Sequence, residues 1–263
     1  MNIDDSEIKV MKRGMGWVDL EKSLIEKGCP VCNSAERAVA KYFDFMLFEY
    51  ANDVSTHKKM LASMGMCAVH SGMLKTAEAK LKSDGLNIAV LYETVIQREE
   101  KLLADIEKIA DGNNKDSKFY FGKKGAFNSF KQNILKHIVS KGKCPGCENQ
   151  NGAESFQIHN LLKIWPDEQF RKLYENNDVL LCRNHFLYLI KECANKEAYS
   201  YYLEVQKDKI ARLHKLVNAF IAKHAADVKE NPTAAEKDAW HKILEYTGSK
   251  PDIHPPGRDF FIE

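Results

Sequence analysis

Apolar residues recur along the chain at intervals of three and four, the spacing that places them on one face of a helix. Leu86, Val90, Leu91, Val95, Leu102, Ile106 and Ile109 form one such series. Tyr201, Leu203, Val205, Ile210, Leu213, Val217, Phe220 and Ile221 form another. Trp17–Gly28 and Phe127–Lys143 are amphipathic at the same spacing and share a Gly and Lys near their ends. An aromatic-rich helix is expected from about residue 34 to 50, and a counterpart from about 154 to 165, stopped by Pro166. Thr233 followed by Glu236 matches a capping box, so a further helix should run to about Thr247 and end at Gly248. No stretch alternates convincingly in the way a strand requires, and the expected class is all-α.

The cysteines add a second pattern. Cys29 and Cys32 form CPVC, and Cys67 opens CAVH, which ends in His70. Cys144 and Cys147 form CPGC, and Cys182 opens CRNH, which ends in His185. Each position of the first set has its match 115 residues further on, and only Cys193 of the seven cysteines stands outside the scheme. Such an internal repeat predicts two tandemly duplicated small helical bundles. The expected organisation is a first metal-binding repeat over 1–110, a linker over 111–127, a second repeat over 128–228, and a C-terminal helix with a Pro-rich tail over 229–263.

The motif spacing points to metal. Two cysteines separated by two residues can reach one ion from a tight turn, which Pro30 and Pro145 would favour. A Cys and a His three apart on a helix share a face. Three thiolates and an imidazole make the Cys3His set common in structural zinc sites. Taken half by half, Cys29, Cys32, Cys67 and His70 form one expected site, and Cys144, Cys147, Cys182 and His185 the other. If the CxxH pairs open their helices, the helix dipole would also favour the thiolates. Two zinc ions are the expected cofactors, with two iron–sulfur clusters as the alternative.

Other chemistries fit less well. Cysteines can be small buried hydrophobes, but that leaves the repeated CxxH unexplained. Thioredoxin-like redox chemistry would want a βαβ context. Asn33 and Glu148 stand where c-type haem attachment needs histidine. Neither a Ser-His-Asp order, a phosphate-binding glycine loop nor HExxH is present. Closed four-ligand sites leave no open position for substrate, so the expectation leans away from an enzyme. Cys193 is expected in the core, and His57, His137, His159, His214, His224, His241 and His254 as surface or hydrogen-bonded residues.

Composition changes this picture little. With 44% hydrophobic and 29% charged residues the chain can bury a core, and a net charge of +2 does not mark a nucleic-acid binder. Residues 111–143 carry a local charge of +6 interleaved with Phe119, Tyr120, Phe121 and Phe127. A base-stacking surface there is the weaker alternative to a solvated linker. The N-terminus is charged where a signal peptide needs an apolar run, and a cytoplasmic protein without a membrane span is expected. Most of the aromatic run Tyr42–Tyr50 is expected in the core around the first site, with part left for an interface between the halves or with another chain, and the terminal Phe260, Phe261 and Ile262 are expected to dock on this chain or a partner.

Through Cys29-Pro30-Val31-Cys32, Cys67-Ala68-Val69-His70, Cys144-Pro145-Gly146-Cys147 and Cys182-Arg183-Asn184-His185, the chain resembles uncharacterised prokaryotic helical proteins with CPxC motifs and a distant CxxH. The resemblance spans most of residues 15–225. It implies metal binding and nothing about a reaction or substrate.

Overall fold

A computed structural model describes residues 15–110, 132, 142–225 and 229–248. Its helices are α1 (Met15–Ile25), α2 (Pro30–Phe48), α3 (Val54–Ser63), α4 (Ala68–Leu81), α5 (Leu86–Ala110), α6 (Pro145–Ile164), α7 (Glu168–Asn176), α8 (Arg183–Glu192), α9 (Lys196–Ala222) and α10 (Ala234–Gly248). No strand occurs among the described residues, so the all-α class holds. The same order of elements appears twice: a CPxC helix, a short helix, a CxxH helix and a long helix. The expected linker at 111–127 and the tail beyond 248 lie outside the described residues.

Two compact units emerge, and they do not follow the halves of the sequence. Among the described residues, one comprises those up to Ala38 and those from Gln150 onward, and the other those from Val39 to Asn149. The boundaries fall inside α2 and α6, so each CPxC helix starts in one unit and finishes in the other.

In the first unit, Trp17, Leu20 and Leu24 of α1 are buried with Ile158 and Leu161 of α6, Phe170 and Tyr174 of α7, Leu189 of α8 and Tyr202 of α9. Each large side chain so buried contributes about 1.5–3 kcal/mol. Several polar groups taken into this interior are paired, although the Tyr174 hydroxyl is buried without a hydrogen-bond partner. Tyr202 Oη donates to the Leu161 carbonyl at 2.6 Å. Lys209 Nζ donates to the carbonyls of Tyr174, Asn177 and Val179 and lies 4.1 Å from the centre of the Tyr174 ring. Asp19 gathers Ser34, Arg37 and Gln157, tying α1 and α2 to α6. The chain segment that leads into Cys29 is held by Asn33 Nδ2 on the Lys27 carbonyl and Asn177 Nδ2 on the Leu24 carbonyl, both at 3.0 Å. The capping box forms as the sequence predicts: Thr233 N–H donates to Glu236 at 2.6 Å, and Glu236 N–H donates to Thr233 Oγ1 at 3.3 Å.

The second unit has its own core of Val39, Phe43, Met46 and Leu47 from α2 with Leu74 and Ala77 of α4 and Leu91 of α5. The aromatic run divides by helical face: Phe43 is buried, while Phe45, Phe48 and Tyr50 are exposed. Helix α3 packs on α5. His57 bonds the Ala51 carbonyl through Nε2 at 2.8 Å, the satisfied role expected for it.

Candidate metal centres

All four motif pairs have one local construction. Asn33 N–H donates to the Cys29 carbonyl, Glu148 N–H to that of Cys144, Ser71 N–H to that of Cys67 and Phe186 N–H to that of Cys182, at 2.8–3.0 Å. Each first cysteine therefore precedes the first turn of a helix, and the second candidate ligand sits three residues in. Pro30 and Pro145 begin α2 and α6, where proline's fixed φ suits a helix and its missing N–H costs nothing. These prolines start helices, so α2 and α6 begin several residues earlier than the sequence pattern suggested. The donors lie where helix dipoles and unpaired N–H groups stabilise thiolate.

The eight expected residues do assemble into two groups of four, but with exchanged partners. Cys29 and Cys32 meet Cys182 and His185, all within the first unit. Cys67 and His70 meet Cys144 and Cys147, all within the second. The pairing of each CPxC with the CxxH of its own half is thus overturned. The cause is helix length. At 1.5 Å per residue, the 16 residues of α2 beyond Cys32 carry the chain about 24 Å, out of the unit in which it began. Cys67 and His70 follow in the second unit, where the start of α6 supplies the complementary pair.

Within each group the candidate donor atoms lie no more than 4.8 Å apart, so each group could hold a metal ion. In the first, His185 Nδ1 is 3.4 Å from Cys29 Sγ, 3.4 Å from Cys32 Sγ and 3.2 Å from Cys182 Sγ, and Cys32 Sγ to Cys182 Sγ is 3.9 Å. In the second, His70 Nδ1 is 3.2 Å from Cys67 Sγ, 3.6 Å from Cys144 Sγ and 3.4 Å from Cys147 Sγ, and Cys67 Sγ to Cys147 Sγ is 3.8 Å. A tetrahedral ion with ordinary zinc bond lengths would set the edges of its cage at about 3.8 Å between sulfurs and about 3.6 Å from sulfur to nitrogen.

The electrostatics within each group are strongly divided. Hydrogen bonds from Cys29 and Cys32, together with His185, hold the Cys182 thiol far below its ordinary range, while Cys32 is pushed up by its bonds to Cys182 and Cys29 and by burial. In the second group the Cys147 bond and contacts from His70 and the Cys67 and Cys147 backbones push Cys144 down to about 3, and Cys147 is raised by its bond to Cys144. Burial opposes protonation of His185, but the neighbouring Cys182 and Cys29 sulfurs raise it well above the usual histidine range. Each group thus holds one cysteine as thiolate and another as thiol, and a cation bound there would displace the remaining protons.

The surroundings of the groups differ in ways the motif reading did not anticipate. Glu154 Oε1 is 3.8 Å from His185 Nε2, and Gln150 donates to that carboxylate. The signal was present in the 115-residue offset, which sets Val39 opposite Glu154. His70 Nε2 is buried without a hydrogen-bond partner, and the His70 ring meets Phe43 edge-on at 6.1 Å between centroids. Gly146 is required at the second group, because a Cβ there would come within 2.5 Å of the His70 ring. Its counterpart Val31 is fully buried in the core of the first unit. Met66 Sδ lies 3.5 Å from Cys144 Sγ, whereas the matching position 181 is leucine.

Cys193 joins neither group. It is only partly buried, not a core residue, and its thiol donates to the Asn195 carbonyl at 3.2 Å. His159 and His224 bond carbonyls four residues earlier, as expected of non-ligand histidines, and His137 and His254 lie outside the described residues. A cleft of about 580 Å³ in the first unit is bordered by Cys29, Lys209, Arg212 and His241. Two of its border cations are already paired: Lys27 with Asp238 and Lys242 with Asp178. Among the described residues, no helix is long and apolar enough to cross a membrane.

Residues 11–253 match a family described as a family of unknown function, DUF6062, and the chain belongs to that family. It is also similar to an uncharacterized 23.9 kDa protein in xynA 3'region of Caldicellulosiruptor sp. (strain Rt8B.4), with 23% identity over 230 residues, covering 84% of this chain and 95% of the relative. No solved structure matches the chain.

Proposed function

We propose that the protein is a helical scaffold held by two structural zinc ions, one per unit, without catalysis of its own. The observation that carries this reading is the spacing of the donors. Sulfur–nitrogen separations of 3.2–3.6 Å and sulfur–sulfur separations of 3.8–3.9 Å match the edges of a tetrahedron around a single ion. An iron–sulfur cluster places sulfide and several irons between its thiolates and would hold them further apart, so the spacing favours one ion over a cluster. Three thiolates and an imidazole complete the coordination of zinc and leave no position for substrate, which supports a structural role. Each ion would join the starts of two helices that are far apart in sequence, Cys29 with Cys182 and Cys67 with Cys144, contributing on the order of 10 kcal/mol to the folded unit. The scaffold reading leaves the exposed aromatic face of α2 for a protein partner or second copy in the cytoplasm.

Elemental analysis and an ultraviolet–visible spectrum of the purified protein test the metal reading. Two zinc ions per chain with a colourless spectrum are expected. A coloured protein containing iron and acid-labile sulfide would replace zinc by clusters, and a metal-free protein with the same helicity would remove the metal reading altogether.

A further inference from the structure

The two groups share one ligand set yet differ in everything around it. Cys32, Cys182 and His185 are fully buried, and Cys29 is 3% exposed although it borders the cleft. In the second group His70 is buried, but Cys67, Cys144 and Cys147 are all partly exposed. The first imidazole has a buried carboxylate, Glu154, at 3.8 Å from its remote nitrogen, an ion-pair distance rather than a hydrogen bond. An outer carboxylate of this kind favours the ligand's charge and orientation. The second imidazole has a buried remote nitrogen with no hydrogen-bond partner, and Val39 stands at the position equivalent to Glu154. Beside the second group also lies a thioether, Met66, a soft donor with affinity for thiophilic cations.

We infer that the second centre, Cys67, His70, Cys144 and Cys147, is an exchange site from which a thiophilic cation such as zinc passes to and from small thiols or chelators, while the first centre keeps its ion. This rests on the reading of both groups as metal centres. Exchange needs an incoming ligand to reach the ion before a resident one leaves. At the second centre an incoming thiol can form its metal–sulfur bond as a partly exposed cysteine sulfur releases the ion. The proton lost by the entering thiol is taken up by the departing cysteine, and no electrons change hands. At the first centre burial denies that approach, and the Glu154 carboxylate faces His185 from 3.8 Å.

Zinc release from the zinc-loaded full chain into excess 4-(2-pyridylazo)resorcinol provides the test. Two phases of one equivalent each are expected, separated by at least about tenfold in rate. Cys147→Ser should abolish the fast phase and Cys182→Ser the slow one. Glu154→Gln, which leaves all eight ligands in place, should keep both equivalents and accelerate the slow phase about 10- to 100-fold. Release of both equivalents at one rate, loss of the fast phase in Cys182→Ser, or an unchanged slow phase in Glu154→Gln would overturn the inference while leaving the metal reading intact. A chain that binds no metal would overturn both.

Discussion

Gly146 shows how much one side chain can decide at these centres. The second group brings the His70 ring so near the helix start that a Cβ at position 146 would lie 2.5 Å from it, whereas the first group accommodates Val31 at the matching place within packed core. Gly146→Val should therefore displace His70 and remove one metal equivalent, measured by mass spectrometry under native conditions or by elemental analysis. Val31→Gly should keep both equivalents and lower stability by about 1–3 kcal/mol through lost packing. Retention of both equivalents by Gly146→Val would show that His70 is not needed there. The motif CPGC contains this glycine in plain view, but its reason lies in a ring 76 residues away in sequence. Glu154 is similar: it lies in an expected helix, and only the fold turns it toward His185.

Helix starts carry most of the local information in this chain. Cysteine or threonine before the first turn and a polar or ligating residue three positions on recur at α2, α4, α6, α8 and α10, and α2 and α6 also begin with proline. The capping box of α10 was legible because both of its partners lie within one turn. Its glutamate is held below the usual carboxyl range by the Thr233 N–H and then by Lys223. A lowered folded value means that the charged form favours the folded state. That contribution is complete above the ordinary glutamate range and disappears as the pH falls through the lowered value. Amide hydrogen exchange in the first turn of α10 should consequently quicken on acidification below about pH 4. In Glu236→Gln this acid-dependent step should be absent. Thr233→Ala should fray the same turn and cost about 1 kcal/mol. If Glu236→Gln retained the full acid response, the carboxylate would not be the group responsible.

The exchanged pairing governs how the chain as a whole responds to the loss of a ligand. Cys29→Ser and Cys182→Ser act on one centre, so the double variant should lack the same single metal equivalent as either alone. Cys29→Ser combined with Cys67→Ser strikes both centres and should remove two equivalents. Pairing within each half of the sequence would reverse these results, and stoichiometry distinguishes them directly. Because an ion at either centre would join a segment at the start of α2 or α6 to a distant CxxH helix, chelation should lower the melting temperature, with loss of helical ellipticity as the readout. An unchanged melting temperature after complete removal of metal would deny the ions a structural role.

The helical class, the α10 cap and the eight residues that gather into two groups were readable from residues alone, because each depends on spacings of three or four positions that a helix translates into one face or one turn. Which four residues form a centre was not readable, since either partnership joins one CPxC motif to one CxxH motif. The 19-residue run of α2 and the 20-residue run of α6 decided it by carrying the chain out of one unit and into the other before the CxxH pairs arrive. Burial of one group, partial exposure of the other and the placement of Glu154, Gly146 and Met66 were likewise settled by tertiary packing, because they depend on neighbours that sequence distance does not reveal.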